Sequence, residues 1–210
     1  MAAYPYKTVV DAVAETRALV EADTVFAEIG MASPTEAQTA QMETMIGQVS
    51  GLVDRFLDRV LASEDVTDHF RAPRGDTLRL SRWPVAEILE VIENGVSLSP
   101  SDWDLDVATG QLWRLSSGDR TDWSCVGFTT VSYVAGYDLP DGLPPDLQRA
   151  AVDQIKALFM GGARDPNLRS FSVPDVLQAS FSVAGGDSGG RFGLMAQVEA
   201  ALTPYRKLAV

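Results

Sequence analysis

The sequence predicts an α+β fold: a helical bundle built on a long amphipathic helix, with a β-rich insertion between helices. Three observations predict it. Residues 34–62 repeat apolar side chains at alternating three and four spacing, residues 65–135 hold alternating and β-branched runs broken by glycine turns, and residues 144–160 return to the helical period.

In chain order, residues 8–22 read as a first helix, with Val9, Val10, Val13 and Val20 as its apolar positions. The long helix follows. Ser33-Pro34-Thr35-Glu36 reads as an N-cap, a proline at the first helical position and a glutamate at the third. Met42, Met45, Val49, Leu52 and Phe56, with Ile46, Val53 and Val60 alongside, then form one broad stripe. The methionines read as core filling. Five or six strands are expected between residues 65 and 135. Leu78 and Leu80 alternate after the turn at Arg74-Gly75-Asp76. The run 85–93 stops at Asn94-Gly95, a hairpin signal because both residues tolerate positive φ. Trp103, Leu105 and Val107 alternate, Thr109-Gly110 turns the chain, Leu112, Trp113 and Leu115 follow, and residues 128–135 form a last strand. Pro144-Pro145-Asp146 opens the next helix, which Gly161-Gly162 ends. Strands near 168–173 and 178–183, a glycine loop and a short helix from Gly193 to Thr203 complete the chain.

With 46% apolar residues the chain can bury a core. No apolar run approaches the ~18 residues of a membrane span, and the N-terminus shows no secretory pattern. Cys125 is the single cysteine, which fits a reducing compartment and reads as a buried or partly buried thiol. The net charge of −12 argues against a basic nucleic-acid surface. Residues 1–65 hold 11 acids and 4 bases, whereas the segment from Ser188 on holds Arg191, Arg206 and Lys207 against Glu199.

Two motifs invite a chemical reading. Gly186-Asp187-Ser188-Gly189-Gly190 resembles the nucleophile segment of chymotrypsin-like proteases, and the order His69, Asp102 or Asp104, Ser188 matches theirs. That family has almost no helix, "TDHF" lacks its histidine context, and Arg191 stands where it has proline, so a glycine loop is the better reading. Asp102, Asp104 and Asp106 mimic the start of a calcium loop, but Val107 and Trp113 occupy the positions that need glycine and glutamate. Alternation with Trp103 and Leu105 reads as a half-buried strand. One histidine and one cysteine build no zinc site. No catalytic, metal or cofactor constellation assembles, so no enzyme activity and no cofactor are expected.

Taken in order, Leu78, Leu80, Pro84 and Val85, then Asn94-Gly95, Val131, Tyr133, Gly136 and Tyr137, then Pro144-Pro145-Asp146-Leu147, and finally Leu202, Pro204, Tyr205 and Arg206, resemble the head–tail connector (adaptor) proteins of long-tailed bacteriophages and related gene transfer agents. The resemblance covers residues 34–208. It implies a structural virion protein of the neck, assembled in the bacterial cytoplasm and away from any membrane. It further implies a twelvefold ring of identical copies docked under the portal protein. Such a ring extends the DNA channel, lets DNA pass without sequence-specific binding, and offers a platform to the next neck or tail-completion protein. It divides the chain into an N-terminal helical extension (1–30), a connector core (31–193) and a C-terminal helix and docking tail (194–210). The tail residues are Leu202, Pro204, Tyr205, Arg206 and Lys207, and deleting 196–210 is expected to remove portal binding and spare the fold. Two other readings stand beside it: a serine hydrolase using Ser188, and a monomeric binding module.

Overall fold

The computed structural model describes residues 2–162, 170–173, 177–180 and 193–206. It contains helices and antiparallel sheets, an α+β chain, arranged in two compact units: Met1–Thr16 with Val60–Asp138, and Arg17–Arg59 with Leu139–Val210.

The first unit is built of strands: β1 (Lys7–Ala12), β2 (Glu64–Arg71), β3 (Thr77–Arg79), β4 (Val85–Glu93), β5 (Val96–Ser97), β6 (Trp103–Asp106), β7 (Gln111–Ser116), β8 (Asp119–Arg120) and β9 (Phe128–Ala135). One antiparallel sheet runs β1-β2-β9-β4-β5; a second runs β3-β7-β6, with β8 paired to β7. Period-two alternation explains how one core forms from both. Val66 and Phe70 of β2, Val131 and Tyr133 of β9, and Val91 of β4 turn inward to meet Leu78, Leu112 and Trp123. Each such burial is worth roughly 1.5–3 kcal/mol relative to exposure. Trp103 and Leu105 pack against this core while Asp104 stays exposed, as the acid–apolar alternation predicts. Asn94 and Gly95 connect β4 to β5 with φ of 52° and 80°, the double positive φ of the hairpin turn.

Two expectations are corrected here. Eight strands, not five or six, lie between residues 64 and 135, because the two-residue ladders β5 and β8 leave no periodic signal. Residues 8–22 are not one helix. Lys7–Ala12 is a strand paired antiparallel with His69–Asp65, with a register shift between Val10 and Ala12, and helix begins at Ala22. The β-branched run Thr8-Val9-Val10 suits a pleated edge better than a helix, where its χ1 freedom is lost. A partner more than fifty residues away completes the choice.

The second unit carries α1 (Ala22–Ile29), α2 (Glu36–Leu57), α3 (Pro145–Gly162), the strands β10 (Ser170–Val173) and β11 (Leu177–Ser180), and α4 (Ala196–Leu202), which runs into a 3₁₀ turn at Thr203–Tyr205. α2 buries Met42, Ile46, Val49, Val53 and Phe56, the stripe read from spacing. Its cap sits two residues later than expected. Thr35 accepts from the Gln38 backbone N–H (3.3 Å), and the Gln38 side chain accepts from the Thr35 N–H (2.8 Å), a reciprocal capping box formed in place of the Ser33–Glu36 spacing that the sequence also offers. The helix ends at Leu57, short of residue 62, where Asp58 turns left-handed at φ 55°. α3 buries Leu147, Ala151 and Ile155 and packs against α1, α2 and α4.

Candidate functional site: a buried carboxylate node and a folded-back C-terminus

The most constrained polar site of the first unit is centred on Asp68, which is fully buried. Strand alternation puts it there: in Val66-Thr67-Asp68-His69-Phe70 the aspartate shares a face with Val66 and Phe70. A buried carboxyl needs donors, and four reach it. Oδ1 accepts from the Thr8 hydroxyl (2.5 Å) and the Ser81 hydroxyl (2.8 Å); Oδ2 accepts from the Ser81 N–H (2.7 Å) and the Tyr133 phenol (2.8 Å). The Tyr133 oxygen in turn accepts from the Arg82 N–H (3.2 Å). Burial first, and then the Asp68 charge, push the Tyr133 phenol far above its ordinary value, so it stays a neutral donor. Beside the node the Arg82 guanidinium pairs with buried Glu64.

This arrangement ties β1, β2, β9 and the β3–β4 loop together. With about four lone-pair sites on a carboxylate, four donors leave none to a substrate or a metal ion. The chemistry is that of a staple. Sequence reading did not single out Asp68, Glu64, Ser81 or Arg82. The signal was present in β2, where period-two alternation places two acids on the apolar face.

Three of the residues carrying the family resemblance fall at positions of tight geometry. Gly136 has φ 122°, and a Cβ there would lie 2.2 Å from the Ala62 carbonyl oxygen. Tyr133 belongs to the node. Pro84 follows a cis bond from Trp83 and its carbonyl accepts from the Gly136 N–H (2.9 Å).

The motif residues separate. His69 lies in β2 of the five-stranded sheet, paired with Thr130 and Lys7, while Asp102 and Asp104 lie at β6 of the other sheet. Ser188 and the glycine segment around it lie outside the described residues. Asp102 caps a 3₁₀ turn by accepting from the Ser99 N–H (3.0 Å). Asp106 accepts from the Thr109 hydroxyl (2.6 Å) and the Ala108 N–H (3.0 Å), and the Thr109 hydroxyl bond, with smaller backbone contributions, holds its carboxyl below the ordinary range. Both acids serve turns. Among the described residues no group of three or more His, Cys, Asp or Glu is placed to hold a metal ion, and no helix is long and apolar enough to cross a membrane. Cys125 is exposed, not buried or partly buried as expected, because the 121–127 loop turns Trp123 inward instead. It borders a cleft of about 440 Å3 shared with Arg74, Gly75, Asp122 and Trp123.

The candidate docking tail is folded onto the second unit up to its last described residue. Gln154 of α3 fixes the approach to α4, its side chain accepting from the Met195 N–H (2.9 Å) and donating to the Gly193 carbonyl (3.4 Å). Val198 and Leu202 are buried. The Tyr205 phenol donates to Asp146 at the start of α3 (2.7 Å), and Arg206 stacks over the Phe56 ring (5.5 Å). Deleting residues 196–210 would therefore strip core side chains, contrary to the expectation that the fold survives it. Pro204 is exposed, and Lys207 lies outside the described residues.

No family model matches the chain, and no curated protein matches it. Solved structures do. It is similar to a chain in the neck of an empty GTA particle with C6 symmetry, at TM-score 0.60 and 16% identity over 97% of each chain. It is similar to a chain of the virion of a native gene transfer agent (GTA) particle, at TM-score 0.59 and 16% identity over 97% of this chain and 96% of that one. A chain in the neck of a native GTA particle with C12 symmetry aligns at TM-score 0.56 and 16% identity over 97% of each. At this identity the likeness is one of fold, and it extends over both units.

Proposed function

We propose that this chain is a structural neck protein of a virion or gene transfer agent particle, a head–tail connector that forms a ring under the portal. The observation that carries the reading is the near-complete, two-way coverage of the fold by chains from GTA particle necks and virions. A match over 97% of both chains leaves little of either molecule unaccounted for. C6 and C12 symmetry are both compatible with twelve copies.

The physical chemistry supports the reading. The Asp68 cluster is saturated by its own hydrogen bonds, as a scaffold requires and a catalyst does not. A net charge of −12 suits a wall along which DNA slides, since like charge keeps phosphates from adhering. In this reading the helices form a bundle on α2, and the strands from β2 to β9 are its insertion. The portal and the next neck or tail-completion protein are the partners, and the particle neck is the location. Portal docking falls to the end of the tail, the exposed Pro204 and Arg206 with Lys207 next in sequence, and Tyr205 and Leu202 are the anchor that presents them.

The test is to mix the purified chain with its portal protein and image the mixture. Annular density at the portal's tail-facing end is expected. Monomers that ignore the portal would reject the proposal.

A further inference from the structure

Of the strand edges that lack a strand partner among the described residues, two stand out. One is the outer edge of β1. It pairs with β2 without a break from Lys7 to Val10, against His69 to Val66, and shifts register only before Ala12. Its far side faces no strand among the described residues. Apolar side chains mark the same stretch: Tyr4, Tyr6, Val10 and Val13 are 48%, 59%, 38% and 65% exposed. The opposite edge of the sheet is protected. β4 changes register twice, between Val85 and Glu87 and between Ile88 and Glu90, and β5 covers Ile92 and Glu93. Bulges twist an edge away from a flat partner.

The second unpaired edge belongs to β10 and β11. They form a sheet of two strands, in register from Ser170–Ser180 to Val173–Leu177. A two-stranded hairpin is marginal in water and gains stability from a third strand. Its strands, SFSV and LQAS, contain no charge and no proline, the devices that usually keep an edge from pairing. β1 carries one lysine and one aspartate, so its own charge cancels. Copies that repel one another through a charge of −12 would meet here without local repulsion.

We propose that the β10–β11 hairpin of one copy adds to the β1 edge of the next copy. Main-chain hydrogen bonds supply the attraction, and the exposed tyrosines and valines flanking β1 supply the register. Donor and acceptor are different surfaces, so the contact is heterologous, the kind whose repetition closes a ring when the rotation between copies divides a full turn. The inference rests on the ring reading above and names the contact that builds it.

Backbone hydrogen exchange on the wild-type protein, free and assembled on its portal, tests it. Amides in residues 7–10 and in the hairpin should slow on the order of tenfold or more on assembly. Two variants complete the test: one with residues 170–180 replaced by a Gly-Ser linker, the other carrying Tyr6→Lys and Val10→Lys. Each alone should fail to form rings, and a mixture should stop at dimers, because one intact donor and one intact acceptor remain. Wild-type rings without slowed exchange, or rings from either variant, would overturn this contact and leave the connector reading standing. A wild-type protein that forms no ring with its portal would remove both.

Discussion

Gly136 shows how one residue can hold a strand end. Its φ of 122° is open to glycine, and an added Cβ would collide with the backbone of Ala62 and Ser63 at 2.2–2.7 Å. Those atoms are main chain and cannot swing aside. Gly136→Ala is expected to cost on the order of 2–4 kcal/mol, read as a lower denaturation midpoint with an unchanged slope. Tyr133 acts through its hydroxyl. Tyr133→Phe leaves Asp68 one donor short and the Arg82 N–H without its acceptor, a loss of roughly 1–3 kcal/mol. The fold prefers the neutral phenol, so its contribution is complete below the ordinary tyrosine value of 10.0 and declines as pH rises beyond it. Urea melts at pH 8 and above pH 10 should show a shallower alkaline loss in Tyr133→Phe than in the wild type. An equal loss in both would mean that this phenol is not the titrating group.

α2 contains both a stabilising device and a weakness. The Thr35–Gln38 capping box satisfies donors that the first turn leaves open, and Thr35→Ala should cost about 1 kcal/mol. Gly47 and Gly51 sit inside the helix with nothing within 4 Å of an added Cβ. Glycine in a helix interior costs roughly 0.5–1 kcal/mol against alanine. Gly47→Ala and Gly51→Ala should therefore each raise the melting temperature of the isolated protein, by ~2–4 °C per kcal/mol for a chain of this size. A fall in either would show that the position needs glycine for a reason beyond its own helix.

For the whole molecule, the proposed docking tail separates stability from binding. Leu202 is core, while the Arg206 guanidinium lies over Phe56 at the surface. Arg206→Glu, at an exposed residue of the proposed docking tail, should weaken portal binding at least tenfold and lower thermal stability by no more than about 1 kcal/mol, the loss of one exposed cation–π contact. Undiminished binding would move the docking surface elsewhere.

What could be read in advance was whatever neighbours along the chain decide. The α2 and α3 periodicities, the 85–93 and 128–135 strands, the Asn94-Gly95 turn and the acid-out alternation of β6 all depend on residues within a few positions of one another, and each stands in the structure. The choices made at a distance were not legible. Val9 and Val10 fit a helical spacing until β2 offers them a ladder. Asp68 and Glu64 look like surface acids until donors from other strands and loops surround them. Cys125 looks buried until Trp123 takes the interior position. Local spacing sets the form of an element, but burial and partnership are free energies shared among segments far apart in the chain, and they acquire a value when those segments meet.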